Sequence, residues 1–178
     1  MLKTLALALA LAAALAFLLI VAAARPDTFE VQRSASIQAP PDTVFGLIND
    51  LRAFSTWSPY EKKDPAMKKH YSGPVAGRGA AQAWEGNREV GKGRLEITDV
   101  AAPSRVTMEL HMIEPLEGRN TVVFTLQPHA GATHVTWSMH GPAPYISKLM
   151  GMFFDMDSMI GRDFEAGLAE LKRVAEAR

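Results

Sequence analysis

The chain has 178 residues, with 19 basic and 19 acidic side chains and no cysteine. That length suits one domain of ordinary size plus an extension. A balanced charge points to neither nucleic acid nor an anionic surface as a partner, and the lack of cysteine excludes disulfide bonds and thiolate chemistry.

After "MLKT" comes "LALALALAAALAFLLIVAAA", twenty apolar residues at 5–24, stopped by Arg25 and Pro26. As a helix this run spans about 30 Å, the thickness of a bilayer's hydrocarbon core. Residues 1–26 are therefore expected to form an N-terminal membrane anchor, a single transmembrane helix. Lys3 and the terminal amine favour a cytoplasmic N-terminus, which puts the domain at residues 27–178 on the non-cytoplasmic side. The alternative is a signal segment cleaved at the small residues 22–24, leaving a secreted or periplasmic domain.

From Thr28 the pattern changes to period two. Phe29, Val31, Ala35 and Ile37 alternate with mostly polar neighbours, as in a half-buried strand. Pro40 and Pro41 end it. Asp42 is placed to cap a short amphipathic helix carrying Val44, Phe45, Leu47, Ile48 and Leu51. A second short helix follows in "RAFSTWSPYEKKD" and is expected to stop at Pro59. Strands are then expected at about residues 67–71, 79–86, 91–100, 105–113, 121–127 and 134–140, broken by turn residues. Connections this short leave no room for crossover helices, so neighbours should be antiparallel. One long helix, from about residue 145 to 177, closes the chain.

This order predicts an α+β fold: a curved antiparallel sheet of about seven strands wrapped around a long C-terminal helix, with two short helices after the first strand. A curved sheet and a straight rod leave a cavity between them unless large side chains fill it.

Several stretches carry a resemblance: "VQRSASIQAPPDTVFGLINDLRAFSTWSPY", "GKGRLEITDVAAPSRVTMEL", "THVTWSMHGP" and "GRDFEAGLAELK". Together they resemble the START-like, or SRPBCC, superfamily of helix-grip proteins, and within it the group named for polyketide cyclases, dehydrases and lipid transport. The resemblance covers nearly everything after residue 27. It implies a pocket for apolar or aromatic ligands, and it supplies no shared catalytic motif, so no catalytic residue is assigned.

Candidate lining residues follow from the faces of the elements. In "RVTMELHMI" the apolar face is Val106, Met108, Leu110 and Met112; in "HVTWSMH" it is Val135, Trp137 and Met139. Trp84, Trp57 and Phe124 extend this aromatic and thioether surface. On the terminal helix, Met150, Met152, Met156 and Met159 stand beside Phe153 and Phe154, and deformable thioethers suit a pocket that takes variable shapes. The expected ligand-binding set is therefore Trp57, Trp84, Met108, Leu110, Met112, Phe124, Trp137 and Met139, with Met152, Phe153 and Met156 from the helix. Asp155 and Asp157 flank Met156 and would rim the entrance. Asp163 and Glu165 flank Phe164, and a surface role or a pair with Arg162 is expected for them.

Acid–base and metal chemistry find little support. His111, His134 and His140 fall on polar strand faces, His129 sits in a turn, and His70 is singled out only by its residue type. There is no His-x3-His pair, so no metal and no cofactor are expected. "RGAAQAWEGNREVGKGR" lacks the context of a phosphate-binding loop, and no Gly-x-Ser-x-Gly elbow occurs. The leading expectation is a membrane-tethered protein that binds a small apolar or lipid-like molecule between sheet and C-terminal helix. The alternatives are a cyclase- or dehydratase-like enzyme using a pocket acid or base, and a partner-docking module with a collapsed pocket.

Overall fold

The computed structural model describes residues 2–177; Met1 and Arg178, the outer ends of the two expected segments, lie outside the described residues. After helix α1 (Leu2–Ala23) come strand β1 (Thr28–Ile37) and three short helices, α2 (Pro41–Asn49), α3 (Leu51–Phe54) and α4 (Pro59–Lys63). Strands β2 (Lys68–Ser72), β3 (Ala81–Glu85), β4 (Lys92–Ala101), β5 (Arg105–Glu114), β6 (Gly118–His129) and β7 (Ala132–Pro142) follow, then α5 (Tyr145–Met150) and α6 (Met156–Glu176). All seven strands join one antiparallel sheet in the order β1-β7-β6-β5-β4-β3-β2. Register shifts in the β4–β5 pairing at Lys92/Gly93 and Ile97/Asp99 help the sheet curl. The β6–β7 turn is tight because Ala130 and Gly131 both take positive φ, 47° and 82°.

Alternation fixes which face is buried. Val31, Met139, Val122, Met108 and Ile97 form one cross-sheet row, and every member is buried beneath the helices. The next row brings Arg33 level with Trp137, Phe124 and Val106. Arg33 thus occupies an inward position, and its guanidinium is accommodated by α6 itself. Gly161 leaves the room: a Cβ there would lie 2.0 Å from Arg33 Nη2. One helical turn to either side, Asp157 and Glu165 accept from the guanidinium at 2.9 and 2.8 Å. Gly161 thus admits an ionic clamp between β1 and α6.

Three expectations about the elements are corrected. Pro59 begins α4 rather than ending a helix, because proline suits the first helical position, so three short helices follow β1. Asp42 makes no cap: α2 starts at Pro41, and Asp50 instead caps α3, its Oδ1 accepting from Arg52 N at 2.8 Å. The terminal helix is broken between Met150 and Met156. Asp155 starts α6 as its N-cap, with its side chain accepting from Ser158 N at 3.0 Å and Ser158 Oγ at 2.6 Å.

The expected membrane anchor is also corrected. Among the described residues no helix is long and apolar enough to cross a membrane. The single-pass anchor, and the non-cytoplasmic placement drawn from it, therefore do not stand. Apolar side chains such as Leu7, Leu11, Leu15 and Phe17 are exposed along α1, but its last turns belong to the fold. Tyr145 Oη donates to Leu19 O at 3.0 Å, and Ala22 is fully buried. The turns before Leu19 rise only about 25 Å, short of the about 30 Å of hydrocarbon in a bilayer.

Candidate ligand site

The space between sheet and α6 is filled by aromatic rings. Trp137 stacks on Phe164 with ring centres 4.1 Å apart, and Phe124 lies 4.9 Å from Trp137. Trp57 meets Phe124 and Trp137 edge-on at 6.0 and 5.7 Å, while Phe54 closes on Trp57 at 4.4 Å. Large side chains thus occupy the volume that curvature opens, and each contributes packing as well as burial. Trp57 Nε1 donates to Leu47 O at 2.9 Å, fixing the ring to α2. The buried Trp137 indole N–H has no acceptor among the described residues.

A cavity of about 630 Å³ lies instead at the end of the grip, where β1 begins and β7 ends. Its floor is Thr28, Phe29, Pro142 and Ala143, and its wall is α5, the α5–α6 connection and the first turn of α6. The break between α5 and α6 forms much of that wall, since Gly151, Met152, Phe153, Phe154 and Asp155 all line the cavity. Phe29, Met152, Phe153, Phe154, Met156 and Ile160 supply the apolar lining, and Arg25, Lys148, Asp155 and Asp157 the charged groups.

The expected lining residues fall in three places. Met152, Phe153 and Met156 meet on the cavity wall. Trp57, Met108, Phe124, Trp137 and Met139 are buried core, away from it. Trp84, Leu110 and Met112 are half-buried on the inner face beyond the helix, and Trp84 lies across Gly93, its Nε1 donating to Val90 O at 3.3 Å. Sequence reasoning passed over Arg25 and Lys148. The signal for Lys148 was present: it is the sole charge in "GPAPYISKLMGMFF".

The charged residues on α6 have partners other than those expected. Asp163 pairs with Lys63 at 2.8 Å and Glu165 with Arg33, not with Arg162. Asp157 is drawn to Arg33, and Asp155 is held below the usual carboxylate range by its hydrogen bonds from the Ser158 side chain and backbone. Lys148 lies almost fully inside the wall and pairs with Asp27, whose carboxyl is held down by that hydrogen bond and charge. The residues weighed for acid–base work stand elsewhere: His70, His129, His134 and His140 are exposed, and His111 Nε2 lies 3.5 Å from Glu117 Oε1. Glu85 pairs with Lys92 and Glu109 with Arg119.

An antiparallel sheet gripping a C-terminal helix, with an apolar trough at its open end, defines a helix-grip protein with a small-molecule-sized cavity. The chain belongs to the polyketide cyclase/dehydrase and lipid transport family, whose model matches residues 28–176. No curated protein matches it. Among solved structures it is similar to protein CV1439 from Chromobacterium violaceum, at 16% identity and a TM-score of 0.60, covering 85% of this chain and 99% of that one. The Aha1 dimer from Colwellia psychrerythraea is similar at 15% identity and a TM-score of 0.60, covering 83% and 96%. Protein Ms6760 from Mycobacterium smegmatis is similar at 17% identity and a TM-score of 0.56, covering 83% and 91%. At such identities the likeness speaks for the fold alone.

Proposed function

We propose that this protein binds a small, largely apolar molecule in the trough between α5, the start of α6 and the β1/β7 end of the sheet. The observation that carries this reading is the position of the cavity: about 630 Å³, walled by Phe29, Met152, Phe153, Phe154, Met156 and Ile160, beside a core of closely packed aromatic rings. That volume lies within the range of small-molecule sites, about 300 to 1,000 Å³. Membership of a family named in part for lipid transport supports the same class of ligand. Burial supplies the affinity: covering about 200 Å² of apolar ligand surface contributes about 5 kcal/mol before ordering costs.

Met156 tests the placement. Its side chain is 42% exposed at the cavity wall, so Met156→Trp fills the trough without disturbing the core. The variant is expected to unfold at the wild-type denaturant midpoint and to bind the neutral dye N-phenyl-1-naphthylamine about tenfold more weakly. Wild-type dye affinity in a folded Met156→Trp protein would place the ligand elsewhere.

A further inference from the structure

The charges on the cavity wall are unevenly satisfied, and on the binding reading above this bears on the ligand's head group. Both carboxylates on the wall are engaged: Asp155 caps α6, and Asp157 accepts from Arg33 Nη2 at 2.9 Å. The cations are less so. Arg25 Nη1 donates to Gly151 O at 2.7 Å, a neutral acceptor, and Arg25 has no counter-charge among the described residues. The Lys148 side chain is only 7% exposed, yet its ammonium is paired to Asp27, whose side chain is 94% exposed. An ammonium has three hydrogens to give, and among the described residues Lys148 Nζ donates only to Asp27. A cation sunk into an apolar wall with spare donors is costly to maintain, and a carboxylate open to water is a weak partner for it.

We propose that the bound molecule is an amphiphile with a carboxylate head, which takes the place of Asp27 on Lys148 while its tail lies along Phe29, Met152 and Met156. Arg25 stands on the same wall and adds a second positive charge to the head-group end. Asp27 is then a built-in competitor: it compensates Lys148 until a ligand carboxylate arrives, and its exposed side chain is free to turn into solvent. The exchange conserves charge at Lys148 and needs no proton transfer.

Displacement of N-phenyl-1-naphthylamine from the full chain by dodecanoate and by dodecanol, both kept below their aggregation limits, tests this. The two share a tail, and simple partitioning favours the alcohol. Dodecanoate is expected to displace the dye at about tenfold lower concentration, the size of one charge-assisted hydrogen bond. Lys148→Gln should abolish that preference, so that dodecanoate displaces the dye no better than dodecanol does from the same variant. Asp27→Asn, made at an exposed position, should tighten dodecanoate binding about threefold by removing the competitor. Equal displacement by both molecules, or an Asp27→Asn protein with unchanged dodecanoate affinity, overturns the carboxylate assignment and leaves the cavity reading standing. A dye that fails to bind the wild-type protein overturns both.

Discussion

Gly167 sits where α6 crosses the aromatic core, and a Cβ there would come within 2.7 Å of Trp137 Cζ3 and 3.0 Å of Pro59 Cδ. Both neighbours are buried and held by other contacts, so neither can yield cheaply. Gly167→Ala should therefore destabilise by about 1–3 kcal/mol through overpacking, although alanine is the better helix former by about 1 kcal/mol. At Gly46 in α2 an added Cβ would meet nothing within 4 Å, so Gly46→Ala should move stability the other way. Urea denaturation of the two variants checks both signs. Glu170 gives a second test at this scale. Hydrogen bonds from Arg173 and Lys62 hold its carboxyl at about 2, down from the usual 4.5. A lowered folded-state value means the carboxylate stabilises the fold above about pH 4.5 and loses that contribution as the pH falls towards 2. Glu170→Gln should therefore be less stable than wild type at pH 7, with the difference shrinking across that acid window in denaturation curves.

At the scale of elements, the strands were legible because alternation is a local property of sequence. The expected strands all appear, displaced by a few residues at their ends. Arg33 was the exception. A charged side chain at an inward position reads as an interruption, and only the tertiary structure places Gly161 above it and acids one turn away on either side. The break between α5 and α6 was hidden for a related reason. "LMGMFFDMDSM" keeps an apolar spacing compatible with one helix, and the stop depends on whether Asp155 bonds forward to Ser158 as a cap. Asp155→Ala should lower the urea midpoint, and Asp155→Ser, another good cap, should retain most of the wild-type stability. Equal stability of Asp155→Ala and wild type would mean that the cap does not set the start of α6.

For the molecule as a whole, the fold could be read from the order of elements, the candidate site only in part. Periodicity reports which face a residue points to and says nothing of how deep it lies. Trp57, Phe124 and Trp137 lie in the buried core, where they pack on each other and Trp137 stacks on Phe164. Met152, Phe153 and Met156 carried the same kind of signal but fall where α5 turns away from α6, at the open end. The helix-grip architecture thus separates two tasks: a solid aromatic middle holds helix to sheet, and a thioether-rich margin surrounds the trough.

Methionine methyl groups report on both regions at once. In a protein labelled with 13C at the methionine methyls, titration with N-phenyl-1-naphthylamine should shift the signals of Met152 and Met156 and leave those of the buried Met108 and Met139 in place. Shifts at Met108 and Met139, with Met152 and Met156 unmoved, would put the ligand inside the core and contradict a site at the open end of the grip.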